Sequence, residues 1–546
     1  MRVPLGVGEK LVLLLFGLYT INRFFGGIAA LAYLVTICGA QFYIWYRGST
    51  LWARLGVPSA PAWPLLGHGY QTMTRGFHGC DVEWMQKFGK VYGSYLFTQP
   101  EIVIADEALL KKVLVKDFYN FTNRRIFPMS KKSLFVRMVS AMKDDDWKNT
   151  RNAITPAFTS GKLKGTFHLM ENCVNTMCTI LSEQTDFENG LDVKQVMGNM
   201  TMDVIGAAAF ALNVDAQRNP NNEFTKHAKE LGSLTFKDWR ILLSIFFPWT
   251  VIMLDEFFDI RVFMPGMEEF YLQNLTKVIK ERRQNPHVEN LDFLQLLINA
   301  ADNNNEKQDD TEIDTTIDHR QSNGTSVAFS NKWQLSDRDI IAQSFLFLFA
   351  GHETTAATLS FACYLLALNQ EAQEKAYQEI KTLMEKDGVI SYKHIQGGMP
   401  YLDAVISETL RLFPPAVRFD RVCTSDYQLT DDLIIPKDSI VCVPVYAIHH
   451  SAENYEDPEK FDPERFLDKD KRQANPFTYM PFGYGPRNCI GMRFAQLEAK
   501  LALSNVLGKF RIEQCSKTEA YPPVLDVTNL LHTKTPLRLN FKRRTE

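Results

Sequence analysis

The sequence predicts a mainly α-helical body with small β-sheets, an α+β class, preceded by an apolar N-terminal segment. Three observations carry that expectation. Ser336 to Asn369 forms one long helical pattern, about 50 Å at 1.5 Å per residue, and it is apolar all round from Phe345 to Ala350, so it should be buried there. Strand-like runs are few and short: Lys90 to Phe97, Glu101 to Ile104, Leu433 to Ile435 and Ser439 to Val445. With 546 residues, 45% of them hydrophobic, the chain can bury a sizeable core, as one large α-rich domain or several average ones.

The N-terminal region, 1–56, reads as a membrane anchor. Between Arg23 and Arg47 no residue is charged, and the resulting run of 23 residues, 24–46, exceeds the roughly 20 needed to cross a bilayer. Phe42, Tyr43, Trp45 and Tyr46 cluster at its end as interfacial rings would, and Arg47 and Arg54 then place the body in the cytosol. A single crossing is expected. The shorter run Leu11 to Asn22 is too brief to span, and its alternatives are a re-entrant segment, an interfacial helix or part of a longer tilted anchor. Arg2 and Lys10 imitate a signal peptide, but cleavage there would leave the second run in place. Residues 57–67 carry Pro58, Pro61 and Pro64, which fix φ and remove three donors, so this hinge should be stiff. The body then occupies 68–546, where the sequons at Asn120, Asn199, Asn274 and Asn323 should stay unmodified in the cytosol.

Within the body, Glu107 to Val115 and Tyr401 to Phe413 read as helices, the latter ended by Pro414 and Pro415. A polar stretch, 303–331, lacks apolar periodicity and reads as a surface insertion. Ile490, Phe494, Leu497 and Leu501 mark a final amphipathic helix. A formal charge of -3 supplies no basic field for a polyanion, which excludes nucleic acid as a partner. Nine cysteines without paired spacing form neither a disulfide framework nor a zinc finger and suit a reducing compartment.

Chemistry concentrates in Phe482-Gly483-Tyr484-Gly485-Pro486-Arg487-Asn488-Cys489-Ile490-Gly491. This glycine-rich loop delivers one cysteine to a helix N-terminus, where the macrodipole should favour thiolate. The glycines should let the backbone approach a flat ligand. A second cluster, Ala350-Gly351-His352-Glu353-Thr354-Thr355, lies in the long buried helix, where Gly351 should let the helix open locally. Glu408 and Arg411 stand three apart on one helix face, and Trp147 and Arg151 four apart on a helix opened by Asp144, Asp145 and Asp146.

The loop matches Phe-x-x-Gly-x-Arg-x-Cys-x-Gly, and from Pro58 to Asn540 the chain resembles the cytochrome P450 family, most of all its animal family 3 group near thromboxane synthase. Phe121-Thr122-Asn123-Arg124-Arg125, Phe158 to Leu163 and Cys489 to Ala495 carry that finer likeness. The resemblance implies the cytochrome P450 fold, and haem b held non-covalently with Cys489 as axial iron ligand. Arg487 would then face a propionate, as would Trp147, Arg151, Arg124 and Arg418, with Phe482 in the haem-binding loop. Thr354 and Glu353 would serve oxygen activation, and Glu408, Arg411 and Arg465 would form a buried structural network. The implied activity is a monooxygenase that inserts one atom of O2 into a lipophilic substrate, such as a xenobiotic, steroid or fatty-acid-like molecule. Electrons would come from NADPH through NADPH-cytochrome P450 reductase, with cytochrome b5 as a further candidate donor, at the endoplasmic reticulum membrane. The alternatives are a haem-thiolate isomerase of an endogenous peroxide and a catalytically silent haem-binding membrane protein. The pocket is expected from Phe349 and Ala350, segments 126–139 and 207–259, Ala416 and Val417, and Leu530 and Leu531. Lys148, Lys469, Lys471 and Arg493 are candidate docking cations for an acidic flavoprotein.

Overall fold

The computed structural model describes residues 6–544 except 65, 127, 185–186, 233–237, 262–264, 286–291, 303–334, 469–474 and 527–529. The polar insertion 303–331 with Asn323, the docking candidates Lys469 and Lys471, and the Trp45 side chain lie outside the described residues.

Helices predominate, as their apolar periodicity requires. Those that position the site are α1 (Val7–Phe25), α2 (Gly27–Ser49), α3 (Asp144–Ile154), α4 (Ser160–Ser182) and α5 (Val193–Phe210). Further along come α6 (Trp239–Phe246), α7 (Pro248–Phe258), α8 (Asp337–Leu368), α9 (Pro400–Leu412) and α10 (Met492–Lys509). Ser336 caps α8 reciprocally with Asp339, each side chain accepting the other's backbone N–H. Pro414 and Pro415 follow Phe413, the C-cap of α9, and forbid its continuation.

One sheet has the order β1 (Val91–Leu96), β2 (Gln99–Ile104), β4 (Ile440–Val443), β3 (Phe419–Val422). Its β2–β4 pair is parallel, with Glu101 opposite Ile440, whereas β3 runs antiparallel to β4, with Arg421 opposite Val441. A second sheet joins β5 (Phe510–Gln514) and β6 (Arg538–Arg543) to the two-residue strand Leu191–Asp192. Helix α8 runs through the core and is buried over most of its length. Helix α5 packs on it, the Thr201 hydroxyl donating to the His352 carbonyl at 3.1 Å.

Most of the run 24–46 lies in the single helix α2, which is separated from α1 at Gly26, whose φ of 85° a glycine adopts without strain. Gly17 lies against the Tyr33 ring, so α1 and α2 fold back as a hairpin. Among the described residues no single helix is long and apolar enough to cross a membrane, although the bent pair α6 and α7, at 100°, passes such a test together. The proline segment, expected as a stiff hinge, lies against the body. Gly93 donates its N–H to the Pro58 carbonyl at 2.8 Å, and Val57 is buried, so the segment docks on β1.

Candidate active site

Arg487, Cys489 and Phe482 share the wall of a cavity of about 540 Å³ with Ala350, Gly351 and Thr354 of α8. The loop is shaped by two positive-φ glycines, Gly483 at 72° and Gly485 at 79°. A Cβ on Gly485 would collide with the Leu114 carbonyl, so this glycine lets the loop seat closely on the protein. Cys489 donates its backbone N–H to the Phe482 carbonyl at 2.8 Å, closing the loop. Its side chain is accessible, but to the cavity. Burial pushes the thiol pKa up, and the Gly491 N–H with Arg151 and Arg124 offsets this only in part. Desolvation thus outweighs what the helix terminus and the two arginines contribute toward thiolate.

Arginines crowd one side of the cavity. Arg151 donates to the Asn488 carbonyl at 3.0 Å and its Oδ1 at 3.1 Å, and Arg124 to the Arg487 carbonyl at 3.0 Å, so both grip the cysteine loop. Arg487 stacks over Trp147, 4.6 Å from its centroid, and donates to the Met142 carbonyl. Burial, together with repulsion from Arg124 and Arg151, lowers the Arg487 pKa to about 9. Burial lowers Arg151 to about 10 despite Cys489 nearby. Arg487 leaves Nε and Nη1 without partners, and Arg124 leaves Nε.

Two further arginines divide differently from what was expected. Arg418 also reaches the cavity wall, but it is ion-paired to Asp81 at 3.1 Å and Glu101 at 3.3 Å and stacks on Phe77. Arg421 was missed. It is 1% exposed, bonds the Asp420 carbonyl at 2.8 Å, and keeps Nε without a partner. Burial, then Arg124 and Arg487, drive its pKa far down. No feature of Arg418-Phe419-Asp420-Arg421 as a string separates the two cations, because the carboxylates that claim Arg418 come from residues more than 300 positions away.

On α8, Thr354 lines the cavity and donates its hydroxyl to the Ala350 carbonyl at 2.7 Å. The helix does not open at Gly351, where Ile205 Cδ1 would lie 3.0 Å from an added Cβ, so the missing side chain admits α5. Glu353 lies off the cavity wall. Its carboxylate meets Lys194 Nζ at 2.7 Å and His532 Nε2 at 3.3 Å, with His352 Nδ1 at 3.6 Å. Burial would raise its pKa, but Lys194, His352 and His532 overcome that and hold it low.

Of the other expected lining residues, Val139, Ala208, Ala209 and Ala416 reach the cavity, and Phe349, Val417, Leu530 and Leu531 do not. Ile205, Leu346 and Phe347 extend the apolar wall. Behind the site, Glu408 and Arg411 are fully buried and pair through two 2.7 Å bonds. Arg411 also donates to the carbonyls of His449 and Pro458, while Arg465 stands 3.6 Å from Glu408.

The residues present fit haem. A thiol opens onto an apolar cleft, and beside it buried guanidinium atoms lack anionic partners, as a dianionic planar group with iron would require. Fold and site together thus define a haem-thiolate protein. The cytochrome P450 family model matches residues 57–541. Cytochrome P450 3A27 of Oncorhynchus mykiss is 35% identical over 515 residues, 94% of each chain. Cytochrome P450 3A2 of Rattus norvegicus is 36% identical over 491 residues, 90% of this chain and 92% of the relative. Cytochrome P450 3A6 of Oryctolagus cuniculus is 35% identical over 496 residues, 90% and 93%. The chain belongs to the cytochrome P450 family and is similar to these family 3 members. It is accordingly a haem-thiolate monooxygenase that uses non-covalent haem b, O2 and electrons derived from NADPH.

Proposed function

We propose that this chain oxidises lipophilic small molecules held between the Thr354 side of α8 and the cysteine loop, with electrons delivered by NADPH-cytochrome P450 reductase and in part by cytochrome b5. The carrying observation is a single thiol facing an apolar cavity beside partnerless guanidiniums. Haem, when bound, would supply the oxygen-activating iron chemistry, which a thiolate ligand favours. Cys489 would hold that iron. Arg124, Arg151, Arg487 and Trp147 hold the propionates, and Arg421 is a better fourth cation than Arg418, whose charge Asp81 and Glu101 already neutralise. Ile205, Leu346, Phe347, Ala350 and Ala416 exclude water and favour apolar substrates.

Thr354 is placed to turn its hydroxyl from the Ala350 carbonyl toward the cavity and donate a proton there. Glu353 recharges it from the Lys194 side, since Lys194 is partly exposed and connects the buried carboxylate to bulk water. Glu408, Arg411 and Arg465 act structurally. The protein attaches to the endoplasmic reticulum membrane with its body in the cytosol, where exposed Lys148 and Arg493 contribute to reductase docking.

Cys489→Ser tests the reading. The reduced carbon monoxide complex of the wild type should show the thiolate-type spectrum, and the variant should lose it. An unchanged spectrum would remove Cys489 as ligand.

A further inference from the structure

Titratable side chains from three separate stretches meet at Glu353. The carboxylate touches Lys194, from the first turn of α5, at 2.7 Å, His532 at 3.3 Å and the adjacent His352 at 3.6 Å. None of the four lines the cavity. Glu353, His352 and His532 are buried, whereas the Lys194 side chain is 39% exposed and joins the cluster to water.

The His532 ring stands between Lys194 and Glu353 and shows a different nitrogen to each. Lys194 Nζ donates to Nδ1 at 3.2 Å, since an ammonium has nothing to accept with. Nδ1 therefore carries no proton, and the neutral ring keeps its proton on Nε2, the atom that faces Glu353 Oε1. The ring is held from behind as well. The His532 carbonyl accepts the Asp526 N–H at 2.8 Å, and Leu531 donates its N–H to the Pro415 carbonyl at 2.9 Å. His352 is placed differently: its Nδ1 meets the other oxygen, Oε2, and its Nε2 points into the α5–α8 packing, 3.4 Å from where a Cβ on Gly198 would stand. Acidity also suits His532. Burial, with Lys194 beside it, outweighs Glu353 and Asp526 and lowers its pKa to about 4, in the carboxylate range, where proton exchange with Glu353 is nearly balanced.

We propose that His532 relays protons from Lys194 to Glu353, the ring accepting one at Nδ1 from the ammonium and releasing the other from Nε2 to the carboxylate. Lys194 regains its proton from water, and return of the ring to its first tautomer completes the cycle. The inference rests on the role proposed above for Glu353. His532 acts only through that carboxylate, so it is a positioning residue.

The test uses the full haem-loaded chain with reductase, and progesterone as a lipophilic probe. His532→Gln keeps an acceptor for Lys194 and a donor for Glu353 but cannot take up and release a proton. Haem content and melting temperature should stay unchanged, while peroxide formed per NADPH rises severalfold and the solvent deuterium isotope effect grows. Product formation should slow about tenfold, less than the loss of a direct proton donor because Lys194 still touches Glu353. In a Glu353→Gln background the same change should add nothing, because both act on one path. Full coupling in His532→Gln, or a further loss on top of Glu353→Gln, would overturn the relay while leaving Glu353 its role. Unchanged coupling in Glu353→Gln would instead remove that role, and any relay toward it. A second readout needs no turnover. Nitrogen-15 NMR of labelled histidines in the diamagnetic reduced carbon monoxide complex, with the His532 signals assigned by their absence from His532→Gln, should show the Nε2–H tautomer at neutral pH and an imidazolium only as pH nears 4. An Nδ1–H tautomer, or an imidazolium at neutral pH, would overturn the proposal.

Discussion

Arg418 and Arg421 sit three positions apart and both reach the cavity wall, yet they meet different partners. One meets two buried carboxylates, the other two arginines. Arg421→Met should therefore speed haem loss, followed by transfer to an acceptor apoprotein, while leaving the haem-free fold intact. Arg418→Met leaves Asp81 without its cation, Glu101 keeping Arg125, and should lower the denaturation midpoint of the haem-free chain as well, because an uncompensated buried charge costs about 3–5 kcal/mol. Equal effects of the two on the haem-free fold would refute the division. For Thr354, whose hydroxyl has a helical carbonyl to fall back on, replacement by Ala should cost little stability. It should instead raise peroxide formed per NADPH consumed and lower product; unchanged coupling would remove the proposed proton role.

Helix α9 is joined to the cysteine loop through one histidine. His449 sits opposite the Arg411 carbonyl at 3.1 Å through Nδ1, and its Nε2 accepts the Met480 N–H at 3.0 Å, which assigns the proton to Nδ1. Burial, with His450 and Arg411 adding repulsion, lowers its pKa from 6.5 to about 3. The sign follows from proton counts: between these values the unfolded chain binds a proton that the native state refuses. Stability should fall as pH drops below 6.5 toward 3, and His449→Gln should flatten that fall in urea midpoints measured across the same range. Breaking the α9 pair should be costlier at neutral pH. Glu408→Ala leaves Arg411 buried without its carboxylate and should destabilise by about 3–5 kcal/mol, read from denaturant unfolding, or prevent accumulation of folded protein.

Across the whole molecule, cations from four separate stretches, Arg124, Arg151, Arg421 and Arg487, converge on one cleft and repel one another. A dianionic ligand relieves that repulsion, so haem should stabilise the native state by mass action. Removing haem should lower the melting temperature. Arg487→Met should narrow the gap between loaded and haem-free protein, each tenfold loss of affinity being about 1.4 kcal/mol; an unaltered gap would refute its role. Much of this architecture was legible in the residues. The long helix, expected from Ser336 to Asn369, is observed as Asp337–Leu368, because a capping serine and an unbroken apolar run are local properties. Trp147 and Arg151, four apart, do face one cavity.

The cysteine loop, the main helices and the family likeness are encoded in contiguous residues, and local patterning suffices to read them. Non-local matters were decided by folding alone. These are which arginine is already neutralised, why Gly351 and Gly485 lack side chains, where Glu353 turns, and that the N-terminal apolar runs double back on each other at Gly26. Each depends on a neighbour brought in from distant sequence, Asp81 and Glu101, Ile205, Leu114, Lys194 and His532, or Tyr33 and the α6–α7 corner. Electrostatic and steric surroundings of that kind exist only once the chain has closed upon itself.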